Sequence, residues 1–139
     1  MCLICKTVEE IKENKNRFFV KELTTGYIVL GENQTHKGYT LFLFKEHAEE
    51  LHELDIKTRI MFLKEMSQVA KAVYKSFSPS KLNYELLGNS YPHMHWHIFP
   101  RYKNEPNFNK PIWINPVIDT QIGDAELNLL KKTLLKNLR

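Results

Sequence analysis

Residues 93–97 read His93-Met94-His95-Trp96-His97, so three of the chain's six histidines stand at alternate positions within five residues. Side chains of an extended strand point to opposite faces with a period of two. A strand here lines one face with three imidazoles and the other with Met94, Trp96 and Ile98. One side is then a piece of core and the other a site. No surface-solvation argument asks for three histidines in register.

The rest of the chain bounds what that site can serve. Its 139 residues suit one domain around one core. At 42% hydrophobic and 12% aromatic it reads as globular rather than disordered. A formal net charge of +4 suits an anionic ligand such as a phosphate ester. It is too weak to argue for nucleic acid, because the lysines are dispersed and no basic stripe with interleaved aromatics occurs. No run approaches the ~18–20 apolar residues of a membrane span, and no charged-then-apolar leader opens the sequence. The expected setting is therefore the cytoplasm, without a membrane or nucleic-acid partner. There the Cys2-x-x-Cys5 pair is a redox motif, half a metal site, or incidental.

Residues 2–13 can form a short helix. Residues 17–23 and 27–30 read as strands joined at Thr24-Thr25-Gly26, and 39–44 as a buried strand. Asp55 is placed to cap a long helix in which Ile56, Ile60, Leu63, Met66, Val69, Ala70, Val73 and Phe77 recur at helical spacing. Ser78-Pro79 ends it. A strand over 82–87, a turn over 88–92 and the histidine strand to Pro100 suggest an antiparallel pair. Residues 103–110 are polar and expected to be mobile. A last helix over 123–139 turns Leu127, Leu130, Leu134 and Leu135 inward. Grouped strands of this kind predict an α+β fold: an antiparallel sheet of about five strands with a long helix packed on one face.

Three chemistries compete for the histidines. A metal could take all three, but no histidine follows His97, and the first carboxylate after it is Glu105. The imidazoles could be satisfied polar groups on a half-exposed strand. Three so close would, however, raise one another's cost of protonation without structural return. The third reading explains the even spacing better. A neutral imidazole can attack phosphorus and form a labile phosphoramidate, with the neighbours at i−2 and i+2 assisting.

The stretch Asn83-Tyr84-Glu85-Leu86-Leu87-Gly88-Asn89-Ser90-Tyr91-Pro92, followed by His-φ-His-φ-His-φ-φ with Met94, Trp96, Ile98 and Phe99 as the apolar φ positions, resembles the histidine-triad (HIT) family of nucleotide hydrolases and transferases. Lys37-Gly38-Tyr39 through Lys45-Glu46-His47 is similar to the family's preceding strand. The resemblance implies a single HIT-like domain over 1–139, with its core at about 2–101 and a C-terminal extension over 102–139. It implies His95 as the nucleophile at the α-phosphate, His97 beside the leaving group, and His93 holding the site or binding zinc. Ser90, Asn89 and Asn83 fall near positions that contact phosphate or ribose. Turn chemistry explains Asn83 and Asn89 as well. Tyr39 stands where many members carry histidine, and it either replaces that contact or packs in the core. Gly88-Asn89 replaces a common Gly-Gln turn. Both departures resemble a bacterial branch described as dinucleoside polyphosphate hydrolase-like.

The resemblance also implies a zinc held by Cys2, Cys5, His47 and His93, structural rather than catalytic. The alternative is two small residues tucking the terminus onto the core. His36 is expected to be exposed in its loop and His52 to lie at the approach to the long helix. The expected activity is a nucleotide hydrolase or nucleotidyl transferase acting on a dinucleoside polyphosphate or nucleoside phosphoramidate. The rival is a nucleotide- or zinc-binding module with little turnover. A homodimer is expected, with Ile112, Trp113, Ile114, Val117 and Ile118 buried against a partner or, equally, within the chain.

Overall fold

The computed structural model describes residues 2–115 and 121–138. Helix α1 (Leu3–Lys12) is followed by β1 (Phe19–Glu22), β2 (Gly26–Leu30) and β3 (Thr40–Phe44). Then come the long helix α2 (Ile56–Phe77), β4 (Lys81–Glu85), β5 (His95–Arg101) and α3 (Asp124–Asn137). The five strands form one antiparallel sheet in the order β1-β2-β3-β5-β4. This is the expected α+β architecture.

Alternation along the strands sorts the core into two layers. Ile28, Leu30, Phe42, Phe44, Met94 and Ile98 pack with Phe62, Val69 and Val73 of α2 and Leu127, Leu130 and Leu134 of α3. On the opposite face Tyr27, Val29 and Leu43 meet Ile4, Val8 and Ile11 of α1. Burying a side chain of this size is worth roughly 1.5–3 kcal/mol. Each strand residue therefore has a strong reason to keep its face, and a slip by one would invert them all.

Asp55 caps α2, accepting from the Thr58 N–H at 2.9 Å. Ser78 closes the helix in a left-handed conformation (φ 48°) just before Pro79. The apolar stripe is narrower than the sequence predicts. Ile56 and Ile60 are 69% and 59% exposed, and Phe62 and Ala72 take core positions instead. Glu65 sits buried in that apolar face because both carboxylate oxygens are used. They accept from the Thr24 and Thr25 N–H groups and the Thr25 hydroxyl, tying the β1–β2 turn to the helix. Leu135 is half-exposed rather than inward, one residue off the face set by Leu127, Leu130 and Leu134.

Strand limits also move. β4 stops at Glu85, short of Leu87, and β5 runs through Pro100 to Arg101. Pro100 is tolerated because the β3 ladder ends at the Thr40–Ile98 pair, leaving Pro100 opposite Leu82 of β4 alone. Residues 103–110 are not a free loop. Arg101 is buried, and its guanidinium donates to the Asn107 and Lys110 carbonyls, Glu105 and Asn83 Oδ1. The segment is folded around that cation.

Candidate active site and metal centre

β5 delivers His95 and His97 opposite Leu43 and Leu41 of β3, on the α1 face of the sheet. Trp96 and Ile98 turn to the α2 layer, as the period of two requires. His93 precedes the strand proper. Hydrogen bonds fix the protons on the first two rings. A carbonyl only accepts, so His93 Nε2–H donates to the Phe44 carbonyl at 2.7 Å and His95 Nδ1–H donates to the His93 carbonyl at 2.6 Å. His93 therefore keeps its lone pair on Nδ1, and His95 keeps its lone pair on Nε2. The two rings present opposite nitrogens.

His97 lies 4.7 Å from His95, centroid to centroid. Its Nδ1 is 2.7 Å from the Tyr39 hydroxyl. The Tyr39 ring stacks on Phe99 at 3.9 Å, so the residue both packs and touches the site. Gly38 turns the chain into it with φ 94°, and a Cβ there would strike the Phe77 ring. Burial holds the Tyr39 hydroxyl well above its ordinary pKa, with Glu85 adding to the effect, so the hydroxyl keeps its proton. Burial depresses all three histidines. His97 is pushed to about 4 by burial first and by His95 second. The imidazoles are thus neutral near pH 7, the form in which His95 Nε2 is a nucleophile.

Two cavities open on this pair. One of about 590 Å³ is bounded by Ile4, Phe18, Leu41, Leu43 and Glu32, among others. The other, about 220 Å³, is bounded by Leu87, Gly88, Asn89 and Ser90. His95, His97, Tyr91 and Trp113 line both. Asn89 and Ser90 are therefore brought to the histidines. Asn83 is directed elsewhere, to Arg101. His36 is not exposed as expected; its Nε2 is 2.7 Å from Glu105, and both side chains are mostly buried. Burial lowers its pKa despite the carboxylate, so the contact is a neutral N–H donating to Glu105.

His93 belongs to a second cluster. Cys2 caps α1 and its Sγ accepts from the Cys5 N–H, which sets the two thiols side by side. His93 Nδ1 lies 3.5 Å from Cys2 Sγ and 3.4 Å from Cys5 Sγ, and His47 Nδ1 lies 3.5 Å from Cys5 Sγ. One ligand atom from each of the four falls within 4.8 Å of the others. Zinc bonds of about 2.0–2.3 Å at tetrahedral angles hold ligand atoms roughly 3.3–3.8 Å apart. Two thiols, two imidazoles, and a carbonyl already orienting one ring suit such an ion. Burial and the adjacent Cys2 keep the Cys5 thiol above its ordinary pKa.

Sequence reasoning missed two contributors. Trp113 is expected against a partner or, equally, within the chain, and not at the histidines, yet it stands edge-on to His97 at 5.2 Å and donates to Glu85 Oε2. Ile112 is buried within the chain and Ile114 is exposed, while Val117 and Ile118 lie outside the described residues. Arg101 carried no signal beyond being a cation directly after an apolar strand.

A five-stranded antiparallel sheet whose β5 presents alternating histidines to two cavities has the architecture of a histidine-triad fold. Residues 12–104 match the model of the HIT domain, and the chain belongs to that family. It is 30% identical over 131 residues to Protein hit of Bacillus subtilis, covering 90% of this chain and 87% of that relative. It is 28% identical over 105 residues to adenosine 5′-monophosphoramidase hnt1 of Schizosaccharomyces pombe, covering 75% and 77%. Its fold matches a histidine triad protein of Bradyrhizobium japonicum with TM-score 0.76 at 21% identity, covering 94% and 95%. It also matches a zinc-bound histidine triad family protein of Mycobacterium smegmatis with TM-score 0.67 at 16% identity, covering 97% and 94%.

Proposed function

We propose that the protein is a nucleotide hydrolase or nucleotidyl transferase that cleaves a phosphoric anhydride or phosphoramidate bond at an α-phosphate through a nucleotidyl-His95 intermediate. The observation that carries this reading is the His95 Nδ1–H bond to the His93 carbonyl, which leaves the Nε2 lone pair for the site. The larger cavity has room for the nucleoside. Asn89 and Ser90 line the smaller one, where they can donate to phosphate oxygens.

In the first half, a P–N bond forms to His95 Nε2 as the bond from phosphorus to the departing atom breaks with its electron pair. A bound phosphate's negative charge favours the protonated form of His97. That imidazolium gives a proton to the departing atom. In the second half, water attacks phosphorus, the P–N electrons return to His95, and water's proton restores His97. Tyr39 supports either state of His97, because a hydroxyl both donates and accepts.

Cys2, Cys5, His47 and His93 would hold a zinc ion, which when bound ties the N-terminal helix to the start of β5. Reduced thiols of this kind suit a cytoplasmic protein. The proposal includes a homodimer, supported by exposed Ile56, Ile60 and Leu63 on the outer face of α2; light scattering checks it. Rapid quenching with a substrate labelled at the α-phosphate should trap an acid-labile adduct that His95→Ala abolishes together with turnover. Wild-type hydrolysis by His95→Ala would overturn the reading.

A further inference from the structure

We infer that metal binding and nucleoside binding are coupled through α1: an ion gathered by Cys2, Cys5, His47 and His93 tightens the hold on the nucleoside, and a bound nucleoside tightens the hold on the ion. The inference rests on the proposed nucleotide reading and adds a regulation of the same site.

One short helix serves both places. Cys2 caps α1 and Cys5 lies in its first turn, with their sulfurs turned to His93 and His47. The same stretch supplies Leu3, Ile4, Lys6 and Thr7 to the wall of the larger cavity, which runs on to His95 and His97. The two sets are interleaved over residues 2–7, so neither can shift alone. Leu3 is 54% exposed, and that apolar surface is there for a nucleoside to cover.

The protein holds that stretch lightly. α1 has ten residues, too few for a helix to be stable alone in water. Its packing on the sheet comes from Ile4, Val8 and Ile11, two of them in its second half. Among the described residues, the only side-chain hydrogen bonds from Cys2 or α1 to the rest of the chain are those of the two thiols; the others stay within the helix. A thiol is a weak donor and a weak acceptor, so without an ion the first turn is loosely tied. A bound ion fastens it to His47, just after β3, and to His93, just before β5. Ordering this turn has an entropic cost whichever ligand requires it. The ligand that arrives second finds the turn already ordered, and linkage makes the effect reciprocal. A second route runs from His93 to His95 through the His93 carbonyl. That route reaches the phosphate rather than the nucleoside.

Adenosine and inorganic phosphate separate the two routes, because the first probes the α1 wall and the second the histidines. Calorimetry measures the dissociation constant of each on zinc-loaded wild type, on the same protein stripped with a chelator, and after zinc is restored. The temperature is one at which circular dichroism shows all three folded. Stripping should weaken adenosine binding roughly tenfold, restoring zinc should recover it, and phosphate should keep its affinity. In the reverse direction, saturating adenosine should lower the zinc dissociation constant by the same factor, read by competition with a chromophoric chelator. That measurement starts from the loaded, folded protein. Leu3→Ala retains all four metal ligands. It should weaken adenosine binding in the loaded protein and shrink the effect of stripping, with zinc content unchanged. Equal adenosine affinity with and without zinc would overturn the inference. So would an equal loss for adenosine and phosphate, which would place the coupling on the His93 carbonyl. Zinc-loaded protein that binds neither probe would instead remove the nucleotide reading on which the inference stands.

Discussion

His93 and His95 are two residues apart, yet they serve different regions. His93 spends Nε2–H on a β3 carbonyl and aims Nδ1 at two thiols. His95 spends Nδ1–H on the His93 carbonyl and keeps Nε2 for the cavities. The side-chain chemistry is the same. The difference lies in which nitrogen finds a carbonyl, and therefore which one is left with a lone pair. The first arrangement suits the proposed metal ligand and the second the proposed nucleophile, and one backbone carbonyl links them. Assigning roles from the triad pattern alone would treat the three residues as one unit; the hydrogen bonds divide them.

The largest effect should come from cutting at the proposed nucleophile. His95→Ala should lower kcat on the order of 10⁴-fold or more while leaving bound zinc unchanged by elemental analysis. Loss of zinc in that variant would mean that the two regions cannot be separated. The reciprocal cut is Cys5→Ala. It should remove the metal and cost about 3 kcal/mol of stability, the scale for a native-state ligand held at a hundredfold its dissociation constant. Chelator should shift the wild-type melting temperature and not that of Cys5→Ala. At a temperature where both are folded, kcat should change far less than in His95→Ala.

The third probe is pH. The unfolded His97 takes up its proton below about pH 6.5, whereas burial holds the folded group to about 4. Between those values the unfolded chain binds more protons, so stability falls as pH drops through the window and levels off below it. The contribution is of order 3 kcal/mol from His97, and His93 and His95 act in the same direction. Urea midpoints at pH 7 and pH 4.5 should differ less in His97→Asn than in wild type. The smallest effect is expected from Tyr39→Phe. Losing one hydrogen bond worth about 1 kcal/mol should lower kcat roughly five- to tenfold and leave metal content untouched.

Much of this was legible in the chain. Alternation at 93–99 foretold which side chains enter the core, because a pleated strand allows no other partition. Asp55 and Ser78-Pro79 marked both ends of α2 through local chemistry. The donor set Cys2, Cys5, His47 and His93 was named from resemblance, and these residues do converge. What local pattern could not supply was partnership at a distance. Ile56 and Ile60 follow one another at helical spacing, but at about 100° per residue they stand on the side of α2 away from Phe62, Val69 and Val73, and only the packed sheet shows which side is inward. Trp113 fitted a partner face and the chain's own interior equally well, because nothing in its neighbourhood points to Glu85, 28 positions earlier. Tyr39 fitted two roles because a phenol has an apolar body and a polar tip, and here both are used.

Arg101 has a consequence for anyone trimming this chain. The recognisable domain match ends at residue 104, but the guanidinium draws its acceptors from as far along as Lys110. A fragment cut at the end of the signature would strand a cation built for the interior, with Glu105 and two carbonyl acceptors removed and Trp113 itself gone. One positive charge thus carries the fold past the point where the sequence stops looking familiar, and the core carries it further still, to Leu127, Leu130 and Leu134 of α3.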